Sequence, residues 1–137
     1  SQSLNERSQN GAEAYKGLAI AGYPNMYFLM GPWSGPGHQS VTVYQEAQFN
    51  YITQAIRYRI DHDAQHISVK PDVEKRFVEE MDWRSQFTVW TSGCASWYLS
   101  PNGRNNALFP GYHLEYKFRV RQFKPSDYEV AQHAPCP

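Results

Sequence analysis

The residues best placed to do chemistry gather around one loop, Gly31-Pro32-Trp33-Ser34-Gly35-Pro36-Gly37-His38-Gln39-Ser40. His38 stands at its mouth, just before a helical pattern. A helix N-terminus disfavours added positive charge, so an imidazole there stays neutral near neutral pH and can exchange a proton. The plainer role for His38 is a hydrogen bond to the loop backbone. Glycine lets main chain approach a flat or anionic ligand closely, and Pro32 and Pro36 stiffen the loop at low entropic cost. Unpaired amides at the start of the following helix would point toward the same ligand. An ordinary strand-to-helix turn has the same local signature.

Other reactive groups are less well arranged. Asp61, His62, Asp63 and His66 have metal-ligating side chains, but they follow a polar helix end with nothing to fix three of them together. They read as a solvated helix terminus, and no metal is expected. Ser92 and Ser96 flank Gly93-Cys94 without the strand, elbow and helix that expose a nucleophilic serine. Cys94 and Cys136 are too few for a disulfide framework or a zinc site and are expected to be free thiols.

The elements that must position the loop follow from periodicity. Met26-Tyr27-Phe28-Leu29-Met30 reads as a buried strand leading into it. From Val41 to Ile60, Tyr44, Ala47, Tyr51, Ile52, Ala55, Ile56 and Ile60 recur at spacings of three and four, which predicts one long helix with Ser40 as its N-cap. Tyr51, Ile52, Ala55 and Ile56 are expected inward, across a small sheet that contains residues 26–30. His66–Val69 reads as a short strand. Pro71 opens a second helix, with acids in its first turn and Val73, Phe77, Val78 and Met81 on its apolar face. Phe87–Trp90 is β-like, Ser92–Asn106 is a long Gly/Ser/Asn loop, and His113–Phe123 alternates as a strand would. The fold class is therefore α+β, a long helix packed on a small sheet, within a single domain over residues 1–137. Residues 1–14 form a polar lead-in and residues 128–137 a loose tail.

The chain has 137 residues and no formal net charge, with basic and acidic residues interspersed. That excludes the electrostatic footprint of a nucleic-acid or anionic-membrane binder and favours a small hydrophobic partner. No apolar run approaches the roughly 18 residues of a membrane span. The lead-in lacks the apolar core of a signal peptide, so a cytoplasmic location is expected. Aromatic residues make up 15% of the chain, which suits either a ring-binding pocket or a Tyr-rich core.

Four blocks together resemble the C-terminal part of the Baeyer–Villiger type flavin-containing monooxygenases. They are Tyr15-Lys16-Gly17-Leu18-Ala19-Ile20-Ala21-Gly22-Tyr23-Pro24-Asn25, the loop from Gly31 to Ser40, Thr88-Val89-Trp90-Thr91-Ser92-Gly93-Cys94-Ala95-Ser96-Trp97-Tyr98, and Asn102-Gly103-Arg104-Asn105. The similarity runs from about Leu4 to Glu129. It implies FAD and NADPH as cofactors, with the whole Gly31–Ser40 loop facing the flavin ring and bordering the substrate cavity. It also implies a mobile lid over NADP and substrate in which Trp97 closes, Tyr98 assists and Arg104 anchors from behind. Gln39 stands where the family commonly has asparagine, and Ala95 where it commonly has arginine.

No Gly-x-Gly-x-x-Gly fingerprint occurs in this sequence, so the pyrophosphate and adenosine of a dinucleotide have no evident site. The resemblance therefore implies a pocket-forming portion of an FAD/NADPH-dependent monooxygenase that is redox-inactive alone and binds neither cofactor unaided. The alternative is a stand-alone, flavin-free derivative in specialised metabolism. It would bind an aromatic or polyketide-like ligand, or catalyse a non-redox cyclisation or isomerisation with His38, Tyr44 and His113. Either way an apolar face is expected to be covered, by self-association or by a second subunit.

Overall fold

The computed structural model of the chain describes residues 2–37, 40–88 and 99–133. Within them lie α1 (Leu4–Arg7), α2 (Val41–Asp61), β1 (Ala64–Val69), α3 (Pro71–Ser85), α4 (His113–Arg119), a 3-10 turn (Pro125–Asp127) and β2 (Tyr128–Gln132). The α+β class stands. The sheet is a two-stranded antiparallel pair of β1 and β2, with Ile67 opposite Val130 and Val69 opposite Tyr128.

The long helix forms where its periodicity places it, but its inner stripe is narrower and rotated. Tyr44, Gln48, Tyr51 and Ala55 are buried, Ile52 is only half-buried, and Ile56 and Ile60 face outward, Ile60 being 67% exposed. At 3.6 residues per turn Ile60 lies about half a turn around the axis from Tyr51, so a stripe centred on Tyr51 and Ala55 cannot include it. Ser40 holds the extended N-cap conformation without a side-chain cap bond; its carbonyl accepts from the Val43 amide at 3.2 Å instead. At the far end His62 caps α2. Its Nδ1 lies 2.9 Å from the Tyr58 carbonyl oxygen and its ring stacks on Tyr58. Among the described residues no three His, Cys, Asp or Glu side chains group as metal ligands would.

Met26–Met30 is not a strand, and the sheet does not contain it. Its place beside β1 is taken by Asn25, whose backbone N–H donates to the Ile67 carbonyl at 3.0 Å while its Oδ1 accepts from the Ile67 amide at 3.1 Å. One side chain mimicking main chain satisfies that edge without a third strand. The segment is held instead by the Phe28 amide bonding the Leu18 carbonyl and by the Met30 amide bonding Gln48. The tail beyond Asp127 is likewise not loose through Gln132, because β2 pairs with β1 there.

The segment read as a strand from His113 to Phe123 is helix α4. Its alternation is misleading, since Leu114 and Phe118 face solvent and only Tyr116 and Val120, one helical turn apart, are buried. Phe87 and Thr88 form a turn closing α3 rather than a strand, and Val89 and Trp90 lie outside the described residues. In α3 the expected face of Val73, Phe77, Val78 and Met81 is buried, with Pro71 in the first turn.

The core between these elements is aromatic. Trp33 and Tyr15 both meet Phe77 edge-on, Tyr44 stacks on Tyr116 at 4.8 Å, and Tyr51 meets Phe123 edge-on. The lead-in docks on α3 through Arg7. Its guanidinium bonds the Glu74 carboxylate at 2.5 Å and the Ala21 carbonyl at 2.8 Å, while Glu74 also accepts from the Ala21 amide at 2.6 Å. No helix among the described residues is long and apolar enough to cross a membrane.

Candidate functional site

A cleft of about 580 Å³ opens beside the Gly/Pro loop. Gly31, Pro32, Gly35 and Pro36 form one wall; Leu99, Asn106, Ala107 and Leu108 form the other. Met30 and Val41, the first residue of α2, also line it. Main chain holds the walls together. The Trp33 amide donates to the Asn106 carbonyl at 2.8 Å, Gly35 donates to Ala107 at 2.8 Å, and Phe109 donates back to Gly35 at 3.0 Å. Asn105 shapes the second wall, its Oδ1 accepting from the Leu108 amide and its Nδ2 donating to the Leu108 carbonyl, both at 3.0 Å.

The loop glycines serve contacts within the chain. A Cβ on Gly31 would lie 2.5 Å from the Gly17 carbonyl oxygen, and one on Gly35 would lie 2.7 Å from that of Ala107. Glycine is needed there for close approach of the protein to itself, which corrects its assignment to ligand approach alone. Met30 and Trp33, bracketing Gly31 and Pro32, both have left-handed backbone, at φ 56° and 55°. Such non-glycine geometry persists only where surrounding structure enforces it.

Of the ten loop residues, Gly31, Pro32, Gly35 and Pro36 line the cleft. Trp33 and Ser34 point inward and are fully buried. The Ser34 hydroxyl donates to the Gly31 carbonyl at 2.6 Å, which spends its hydrogen inside the loop. Trp33 is a core residue rather than a ligand contact: it packs on Phe77 and carries the Arg104 guanidinium 5.1 Å from its ring centroid. Gly37 and Ser40 are exposed and lie off the cleft. His38, Gln39, Trp97 and Tyr98 fall outside the described residues, as do Ser92, Cys94 and Ser96.

Neither of the other proton-transfer candidates reaches this cleft. Tyr44 is buried against Tyr116, and burial raises its phenol above the usual tyrosine range. His113 is half-buried as the first residue of α4. Arg104 does not line the cleft either. Its Nε and Nη2 both bond the Asp82 carboxylate at 2.6 Å and its Nη1 bonds Glu13 at 2.8 Å, joining the 99–108 segment to α3 and the lead-in. These hydrogen bonds, that to Asp82 foremost, hold the guanidinium firmly charged.

Among the described residues, none that lines the cleft has a charged side chain. Its described lining is mostly apolar, with Ser100 and Asn106 as the polar members, and no lysine, arginine or histidine is among them. Leu99 and Asn106 fall within the 92–106 loop that the sequence suggested as a lid, without being singled out, and Ala107 and Leu108 were missed because they carry no chemical signature. Gln48 was missed too, although its signal was present: a polar side chain on an apolar helical stripe, one turn from Tyr44.

No family model matches the chain. A Baeyer–Villiger monooxygenase of Pseudomonas aeruginosa is 39% identical over 122 residues, covering 88% of this chain and 23% of that enzyme. One from Streptomyces coelicolor is 32% identical, covering 98% of this chain and 26% of the enzyme. This chain is homologous to part of the Baeyer–Villiger monooxygenases. It spans about a quarter of the length of the curated relatives it matches. An FAD-binding monooxygenase of Emericella nidulans is 27% identical over 93% of the chain. Among solved structures, an oxidized steroid monooxygenase bound to NADP superposes with a TM-score of 0.83 at 25% identity, covering 96% of this chain and 26% of its own. The cyclohexanone monooxygenase of Rhodococcus sp. Phi1, bound to NADP+, shares the fold with a TM-score of 0.79 at 18% identity, over 95% of this chain and 25% of its own. The Baeyer–Villiger relationship thus covers both walls of the cleft.

Proposed function

We propose that this chain is the pocket-forming, C-terminal portion of a Baeyer–Villiger type monooxygenase, and that its cleft receives the flat ring of a flavin or of a hydrophobic substrate. The observation that carries this reading is the cleft between Gly31, Pro32, Gly35 and Pro36 on one side and Leu99, Asn106, Ala107 and Leu108 on the other, which has no charged side chain among its described lining residues. FAD and NADPH, when bound to such an enzyme, supply the redox and oxygen-inserting chemistry. The residues here contribute shape: two walls clamped by main-chain hydrogen bonds, with Val41 of α2 lining the same cleft. Trp97 and Tyr98 close over the ring, and Arg104 tethers the lid segment to α3. The dinucleotide phosphates bind to a part of the enzyme outside this sequence, so the chain alone is redox-inactive.

The exposed side chains of Phe49, Ile56 and Ile60 on α2 form the surface for that other part, or for a second copy in its absence. Sedimentation at micromolar concentration should show self-association, and a clean monomer counts against this surface.

Titration with lumichrome, the uncharged ring system of a flavin, tests the cleft directly. Saturable fluorescence quenching is expected, weakened about tenfold by Trp97→Ala, since a lost aromatic anchor is a large fraction of a small ligand's affinity. The purified chain should be colourless and should not oxidise NADPH. Absence of lumichrome binding would overturn the cleft assignment, and a yellow protein with stoichiometric FAD would overturn the division of labour.

A further inference from the structure

Two left-handed residues, Lys16 at φ 53° and Met30 at φ 56°, lie at the ends of one buried hydrogen-bonded relay. Gln48, on the inner stripe of α2, is fully buried. Its Oε1 accepts from the Met30 amide at 2.9 Å, and its Nε2 donates to the Tyr116 hydroxyl at 2.8 Å. That hydroxyl donates its single hydrogen to the Lys16 carbonyl at 2.8 Å. The direction is therefore fixed. Because the Tyr116 hydrogen is committed to Lys16, the glutamine must present N–H to Tyr116 and oxygen to Met30. The two turns also touch where Gly31 packs on the Gly17 carbonyl, so both are held at once.

We infer that Gln48 is a positioning residue that holds the cleft-lining turn at Met30–Trp33 in its left-handed form, with Tyr116 tying it to the Lys16 turn beneath. Met30, Gly31 and Pro32 all line the cleft, so displacing this turn changes the shape of the wall. A left-handed methionine is strained and persists only while a partner for its amide is fixed in place. The ligand consequence rests on the cleft assignment above; the pinning of the turn does not.

The test uses the ¹⁵N-labelled full chain and three variants. Gln48→Leu removes both bonds, Gln48→Glu keeps an acceptor for Met30, and Tyr116→Phe keeps the Gln48–Met30 bond but releases its orientation. In Gln48→Leu, hydrogen exchange at the Met30 amide should speed up about tenfold relative to that at Ile67 in the sheet, and lumichrome should bind about tenfold more weakly. Gln48→Glu should restore Met30 protection, and Tyr116→Phe should fall between. Unchanged Met30 exchange in Gln48→Leu, a rise shared equally by Ile67, or a Gln48→Glu variant no better than Gln48→Leu would each overturn the assignment. If Gln48→Leu does not fold, the native chain decides: the Met30 amide should exchange at least about tenfold more slowly than a free amide, and an unprotected Met30 amide overturns the bond. If lumichrome does not bind the native chain, the cleft assignment fails while the Met30 exchange ratio still decides the role of Gln48.

Discussion

The cleft and the flank of α3 are built from opposite materials. The described cleft walls are mostly Gly, Pro, Ala and Leu, with Asn106 as a polar member and no charged side chain, and main chain clamps them. Along α3, acids and arginines are matched instead: Glu74 with Arg7, Asp82 with Arg104, and Glu80 with Arg119. Arg84 and Arg119 also share Glu115 of α4. Along α3 charge docks one segment on another, whereas the described lining of the cleft is free of it. Binding there should depend on shape and on how rigidly the walls are held.

The sharpest way to break that contrast is Trp33→Ala. Trp33 belongs to the cleft loop in sequence but to the core in space, so the substitution should destabilise the chain by about 4 kcal/mol in urea unfolding. A variant with native stability that has lost only ligand affinity would return Trp33 to the cleft. Next in size is Gly31→Ala. Its new Cβ meets backbone rather than a flexible side-chain end, and about 3 kcal/mol should be lost as the wall is forced off residue 17.

The third test concerns Lys16, which lies beneath the cleft loop and is 8% exposed. Its ammonium packs over the rings of Tyr15 and Tyr51, and burial lowers its pKa to about 8, against a partial opposing pull from Asp127. Above that pH the folded chain has released a proton that the unfolded chain still holds, so stability rises with pH until the unfolded lysine also titrates. Burial also raises the phenols of Tyr51, Tyr116 and Tyr128 above their ordinary range. Their unfolded forms ionise first, so stability falls again in strong alkali. Urea midpoints should therefore climb from neutral pH to a maximum near about pH 10, gaining about 2 kcal/mol. A steady decline over that range would show that Lys16 is not buried as a cation.

The smallest effect is Glu115→Gln. Glu115 accepts from both terminal nitrogens of Arg84 and is partly exposed, so its loss should cost about 1 kcal/mol at low salt and less in molar salt. Lumichrome affinity should be indifferent to the same change in salt. A cleft as salt-sensitive as the α3–α4 contact would erase the contrast between the two regions.

The parts legible in the sequence were those whose order is local. The helix at 41–61 and the one opened by Pro71 announce themselves through spacing and a first-turn proline, and β1 through β-branched residues between breakers. The four blocks from Tyr15 to Asn105 likewise pointed to the Baeyer–Villiger relationship, because residue order in register survives without a structure. The failures share a different cause. Leu114, Tyr116, Phe118 and Val120 alternate as a strand would, yet Leu114 and Phe118 stay exposed to solvent. Tyr128–Gln132 has no local signal strong enough to call it a strand before its partner, some sixty residues earlier, is known.

What the sequence by itself determined was which segments are helical, which loop is rich in glycine and proline, and which enzymes are kin; periodicity, backbone stereochemistry and inherited residue order are properties of the chain read in line. Only the tertiary structure decided that Trp33 and Ser34 turn inward while their neighbours line a cleft, that Leu99, Asn106, Ala107 and Leu108 form the facing wall, and that Gln48 reaches the turn at Met30. Those outcomes depend on hydrogen bonds and burial between residues far apart in sequence, and the direction in which a loop side chain points is set by what lies on either side of it, not by its neighbours along the chain.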